Sequence, residues 1–159
     1  MEEMNNINKG HYQVLRKVFE QKEHTPYYGL LMETGSWPYS YVVIYKRLMY
    51  FHHILHSDKR RNIRQILINQ MAGMGKGKPW FRHGVAGWLI KFDLPRNEEE
   101  ILKIRKSTWK KDVKDKIEKE VAEEMERQCK KMKKLRFTKQ FKRHEYIEKF
   151  SMKKVKRIM

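Results

Sequence analysis

Between residues 130 and 143 the chain carries Lys130, Lys131, Lys133, Lys134, Arg136, Lys139, Lys142 and Arg143 and no carboxylate. Cations at this density neutralise phosphates and release the counterions held around them. Phe137 and Phe141 are interleaved among them, and aromatic faces can stack on exposed bases. For these two rings, docking on the chain's own core is the preferred reading. The same run is a short Lys/Arg cluster of the kind that nuclear import receptors read. A second group, Lys59, Arg60, Arg61 and Arg64, falls at the start of an expected helix. Cations there oppose the helix dipole, which disfavours a purely structural role, although a plain solvated turn suits them equally. These twelve positions form the candidate nucleic-acid-binding set.

No other group of residues completes a chemical site. His52 and His56 are four apart and share a helical face. A zinc ion needs about two further ligands, and Asp58 is the only carboxylate near them. Residue 53 is His, so the Glu of a His-Glu-x-x-His motif is missing. His52 is expected to pack beside Phe51, and the other histidines to meet solvent or phosphate. The glycines at 73–77 do not form a phosphate-binding loop. The residue five after Gly73 is Lys78, and no Ser or Thr follows it. Cys129 sits among lysines that could lower its pKa, but no general base is placed beside it. No pair of acidic residues lies in an apolar setting suited to catalytic magnesium. The chain is therefore expected to hold no metal or cofactor and to be no enzyme.

Composition points the same way. The 37 Lys and Arg against 19 Asp and Glu give a formal charge of +18, more than solubility alone requires. Self-repulsion at that charge destabilises a compact state, so a polyanion is the natural counterpart. Nucleic acid is the first candidate, anionic membrane the second, and a merely charged surface the plain alternative. Apolar residues make up 40%, below the usual share of about 45–50%, so the core should be thin. The single cysteine, Cys129, excludes an internal disulfide and a multi-cysteine zinc site, and fits a reducing intracellular compartment, nuclear or cytoplasmic. The opening Met1-Glu2-Glu3-Met4 is acidic, so a secretory signal is not expected. No apolar run approaches the roughly 18–20 residues of a membrane span.

The elements that would position these residues read as helices. Thr25 is an expected N-cap with Pro26 at the first helical position, and Gly35 ends that short helix. Ser36-Trp37-Pro38 opens the next, whose buried face is Ile44, Leu48, Phe51 and Leu55. Asp58 is expected to cap a further helix with Ile63, Ile66, Leu67 and Met71 as its buried stripe. Residues 72–79 read as a loop, and Trp80–Phe92 as another helix or a short strand. Asn97 is an N-cap followed by Glu98, Glu99 and Glu100, which suit the positive end of a helix dipole. Ser107 is a second candidate cap. From Thr108 to about Lys134 no Gly or Pro occurs, and Trp109, Val113, Ile117, Val121 and Met125 recur every four residues. A step of four outruns 3.6 per turn, so this stripe drifts around a long helix. The expected fold is all-α: about six or seven helices, with a long helix over about 108–134 and a basic C-terminal helical tail. A helical domain over 7–106 would be followed by the long charged helix and tail over 107–159. The charge is uneven, since residues 130–159 hold 13 Lys and Arg against two Glu.

Two runs carry a resemblance. One is His24–Pro38, His-Thr-Pro-Tyr-Tyr-Gly-Leu-Leu-Met-Glu-Thr-Gly-Ser-Trp-Pro. The other is Tyr45–Asp58, Tyr-Lys-Arg-Leu-Met-Tyr-Phe-His-His-Ile-Leu-His-Ser-Asp. Together with Gln13–Phe19, Trp109–Ile117 and Lys134–Phe137, they resemble the region after the polymerase core in reverse transcriptases of non-LTR (LINE-like) retrotransposons. The resemblance spans about residues 7–150 and is most specific between 24 and 58. The stretch 72–79 departs from it, being more often acidic and polar in that family. The catalytic aspartates of such enzymes lie upstream in a Tyr/Phe-x-Asp-Asp motif, and this chain contains no Asp-Asp pair. What the resemblance implies is a non-catalytic, nucleic-acid-binding fragment of an RNA-directed DNA polymerase, a truncated or remnant product. The alternative is a helical interaction module that pairs the 108–134 helix with a partner protein. A peripheral membrane role is weaker, because the basic helices lack a broad Trp/Leu-rich face.

Overall fold

A computed structural model of the chain describes residues 2–21, 25–73 and 81–131. Among these residues the fold is all-α, with no strand. The helices are α1 (Glu2–Val18), α2 (Tyr27–Thr34), α3 (Tyr39–Leu55), α4 (Asn62–Met71), α5 (Gly87–Lys91), α6 (Glu98–Lys103) and α7 (Lys106–Lys131). A π-helical segment, Arg82–Ala86, runs directly into α5. The stretch Trp80–Phe92, open between helix and strand from its sequence, is thus helical over its described part. The described residues form two compact units. One holds the residues up to Val42 together with those from Glu118 on, and the other holds Val43–Ile117. Helices α3 and α7 each contribute to both.

The first unit buries Leu15 of α1, Leu30 and Leu31 of α2, Trp37, and Val121, Met125 and Cys129 of α7. Gly35 ends α2 in the left-handed conformation, at φ 64°, as its position required. The start of α3 is tied to α1 by Asn8. Its Oδ1 accepts the Ser40 N–H at 2.9 Å, and its amide donates to Ser40 Oγ at 3.1 Å. One of the unpaired N–H groups of that helix start is thereby satisfied from a neighbouring helix. Tyr28 donates to Glu124 at 3.3 Å, and Tyr41 lies at the limit of hydrogen bonding from Glu120, at 3.5 Å. Burial, with the carboxylate beside it, pushes the Tyr28 hydroxyl up to about 12 and Tyr41 higher still.

The second unit is built on the α3 face expected from the sequence. Ile44, Leu48, Phe51 and Leu55 are each fully buried. The facing row of α7, Trp109, Val113 and Ile117, is buried with them. The Trp109 indole N–H donates to the Leu48 carbonyl at 3.2 Å, so its one polar atom is satisfied inside the core. Asn97 caps α6 by accepting the Glu99 N–H at 3.1 Å. Asp93 ends α5 at φ 47°, with Leu94 N–H reaching back to the Leu89 carbonyl and Asp93 N–H to Ile90. That is a Schellman closure with Asp in the place usually held by glycine.

Four local expectations are corrected. Pro26, not Thr25, is the N-cap of α2, and no side chain caps it; the Thr25 carbonyl instead accepts the Tyr12 hydroxyl at 2.6 Å. Asp58 does not cap α4. Its carboxylate accepts the Arg60 N–H within the turn that precedes the helix, and Arg61 stands at the N-cap. Ser107 lies inside α7, which begins at Lys106. Ile63 and Ile66 are 43% and 56% exposed, and the buried positions of α4 are Arg64 and Leu67. The cause is the buried Arg64, which occupies a core-facing position that an apolar residue would otherwise claim. In a denaturant titration, Leu67→Ala should lower stability by about 2–5 kcal/mol, the range for a buried leucine. Ile66→Ser should stay within about 0.5 kcal/mol of the parent, as exposed positions do.

Candidate nucleic-acid interface

The C-terminal end of α3 and the start of α7 meet through His52. Its Nε2 faces the Ile104 carbonyl at 3.1 Å. A carbonyl only accepts, so this nitrogen carries the proton. The ring stacks on Trp109, with centroids 5.3 Å apart, and on His56, with centroids 4.0 Å apart. His56 in turn donates from Nδ1 to the His52 carbonyl at 3.0 Å. Burial holds the His52 imidazole below its ordinary value. The Ile104 carbonyl opposes that shift, and His56, Lys106 and His53 add to it. His52 is therefore a neutral packing residue that fixes the α6–α7 joint against α3. One nitrogen each of His52 and His56 is committed to a backbone carbonyl. Among the described residues no group of three or more His, Cys, Asp or Glu is arranged to hold a metal ion.

Around this joint several cations are exposed, as are the carboxylates of Asp58, Glu99 and Glu100. Lys59, Arg60 and Arg61 are exposed in the turn between α3 and α4, and His53 and His56 are exposed just before it. Arg105 and Lys106 are exposed at the α6–α7 joint, next to the carbonyl that holds His52. From Lys106 the row continues through Lys110, exposed, and Lys114, half-buried. A step of four residues turns about 40° on an α-helix, so this row runs alongside the buried row Trp109, Val113, Ile117. Asp112 and Asp115 sit roughly 100° or more around the helix from the nearest lysine of the row. Like charges at this spacing repel and destabilise the helix. The arrangement suits a surface that meets phosphates.

The structure sorts the candidate residues. Lys59, Arg60 and Arg61 share the exposed turn. Arg64 leaves the set. It is only 5% exposed, with its guanidinium donating to Glu98 Oε1 at 2.8 Å and to the Ser57 carbonyl at 2.8 Å. A buried guanidinium needs such partners to offset its lost hydration. Lys130 and Lys131 are exposed at the end of α7, and Lys130 pairs with Glu126 at 3.2 Å. They belong to the other unit. Lys133, Lys134, Arg136, Lys139, Lys142 and Arg143 lie outside the described residues. Arg105, Lys106, Lys110 and Lys114 do not stand out in the sequence, where Asp112 and Asp115 dilute them. Their signal is the step of four within an expected helix. No protein-family model, curated protein or solved structure matches the chain.

Arg64→Ala should lower the melting temperature and leave the salt dependence of nucleic-acid binding unchanged. The combined Lys59→Ser, Arg60→Ser, Arg61→Ser variant should do the reverse; thermal melts beside binding isotherms at several salt concentrations test both. The response to pH turns on His52. It binds its proton less readily folded than unfolded, so its contribution is complete above about pH 6.5 and declines as the pH falls below it. Burial depresses His11 in the same sense. Melts followed by circular dichroism should show a falling midpoint between about pH 7 and pH 5, and a shallower fall in His52→Gln. An unchanged slope in that variant would remove His52 as the cause.

Proposed function

We propose that the chain is a non-catalytic, basic helical protein that binds nucleic acid through its phosphates. The observation that carries this reading is the exposure of Lys59–Arg61, Arg105, Lys106 and Lys110. The resemblance to the post-polymerase region of LINE-like reverse transcriptases supports the same reading, since that region follows the catalytic core. The basic run at 130–143 adds further cations. With such a partner the protein acts inside the cell, in nucleus or cytoplasm, and the lone Cys129 suits a reducing compartment. Among the described residues no helix is long and apolar enough to cross a membrane.

Pairing α7 with a partner helix is a weaker reading. The apolar row that would seat the partner, from Trp109 through Val113, Ile117, Val121 and Met125 to Cys129, is buried within the chain itself.

Filter binding with single-stranded and duplex RNA and DNA tests the proposal. Engagement of about six phosphates gives a slope of log affinity against log salt near −5 on a duplex. Replacing Lys106 and Lys110 by Gln should make the slope shallower by about one for each phosphate no longer neutralised. Affinity that is indifferent to salt would refute the reading. So would primer extension by the chain with deoxynucleotides and magnesium, abolished by replacing one of its acidic residues.

A further inference from the structure

Helix α4 turns an uncharged face to solvent. Asn62, Gln65, Ile66 and Asn69 follow at steps of three, one and three, within about 100° of the helix circumference. All four are exposed, Ile66 by 56%, and they lie opposite buried Arg64 and Leu67. Arg64 is the one charged residue of α4, and its guanidinium is engaged by Glu98 and the Ser57 carbonyl. The open face therefore carries three amides and an isoleucine, in a chain of which 35% is charged. Core packing does not select these residues. Helix formation does not select the asparagines, since Asn ranks below Lys and Glu as a helix former. The Gln65 Nε2 lies 3.5 Å from the Lys59 carbonyl, at the limit of hydrogen bonding, so the fold holds it only weakly.

The chemistry of this face specifies what it meets. A side-chain amide sets a donor beside an acceptor, the pattern that pairs with N6 and N7 of adenine. An aliphatic side chain matches the methyl group of thymine. Both groups lie in the major groove of B-form DNA, which is about 12 Å wide and admits an α-helix. From Asn62 to Asn69 the face is about 10 Å long, roughly the rise of three base pairs. Cations stand where that groove has its edge. Lys59, Arg60 and Arg61 are exposed in the turn that leads into α4, and the Asp58 carboxylate beside them accepts the Arg60 N–H at 2.9 Å. The major groove of duplex RNA is too deep and narrow for side chains to read.

We propose that α4 reads A·T base pairs from the major groove of duplex DNA. Asn62, Gln65 and Asn69 meet adenine, Ile66 meets the thymine methyl, and the Lys59–Arg61 turn holds the adjoining phosphates. This deepens the proposed function and rests on it. Phosphate contacts fix position but carry no sequence information, so the α4 face is what gives the protein a preference among sequences.

The test uses the full chain and probes of equal length at one salt concentration. They are a mixed-sequence duplex DNA of A·T pairs, the same duplex with uracil for thymine, a duplex DNA of G·C pairs, a duplex RNA and a single strand. One bidentate pair between an amide and a base is worth roughly 5- to 150-fold in affinity. The parent should therefore bind the A·T duplex at least about fivefold more tightly than the G·C duplex. Gln65→Ala combined with Asn69→Ala should remove that preference and leave affinity for the G·C duplex unchanged. Ile66→Ser should weaken binding of the thymine duplex and leave the uracil duplex as in the parent. Neither change should alter the salt slope, because neither removes a phosphate contact. These positions are exposed and Ala is the stronger helix former, so thermal melts of the alanine variant should match the parent's.

Equal affinity of the parent for the A·T and G·C duplexes overturns the base-reading helix and leaves the phosphate reading intact. So does an A·T preference that survives the alanine variant, and so does binding of the single strand or duplex RNA without binding of either DNA duplex. A dimer of the chain that Ile66→Ser dissolves, with duplex affinity unchanged, overturns it in favour of contact between copies. If the parent binds none of the probes, the proposed function itself fails and takes the base-reading helix with it.

Discussion

The indole of Trp109 sets the geometry on which the basic surface depends. It is fully buried, its N–H reaches the Leu48 carbonyl on α3, and the Phe51 and His52 rings lie against it. A tryptophan this enclosed gives α7 a single rotation about its axis, because any other would expose the ring and leave the N–H without a partner. Once that rotation is set, Val113 and Ile117 must follow into the core, and Lys106, Lys110 and Lys114 must line the edge of the buried row. His52 completes the joint. By donating to Ile104 it pins the carbonyl at the break between α6 and α7, where a short extended connection would otherwise leave a polar group unpaired.

The charges around this joint divide by what the fold asks of them. Helix α6 begins with Glu98, Glu99 and Glu100, the sign that its dipole favours, and Glu98 also compensates buried Arg64. Helices α4 and α7 have no acidic residue in their first turns, and cations stand there instead. Stability alone would favour the opposite sign. A chain that places carboxylates correctly at α6 and cations at two neighbouring starts is not indifferent to the dipole. Arg64 answers to Glu98, whereas the dipole does not account for Lys106 at the start of α7; contact with a polyanion, as in the proposed function, would offset that cost.

Much of this was legible in the sequence where one local rule decided the outcome. The α3 face, the step-four row of α7, the glycine end of α2 and the Asn97 cap each follow from side-chain type and spacing within a single helix. The misreadings share a different cause. Arg64 is buried because of Glu98, which lies 34 positions away. No periodicity within α4 can show that pairing, so spacing alone sets the stripe one residue off and puts Ile63 and Ile66 inside. Asp58 has the chemistry of a helix cap, but a turn uses its carboxylate before α4 begins. The lysine row is hidden in the same way: in linear order Asp112 and Asp115 neutralise it, and only the helical rotation separates the signs.

Helix α3 brings these threads together because its two sides are under different constraints. On one side the positions of Leu48, Phe51 and Leu55 are fixed by packing, and any polar replacement would be felt as lost stability. On the other, Lys46, Tyr50 and His53 are exposed, and packing does not fix their identities in the same way. The same contrast separates Arg64 from Arg60 and Arg61, a few residues apart and alike in type. Position relative to the core, more than the density of charge along the chain, decides which cations hold the protein together and which stay exposed.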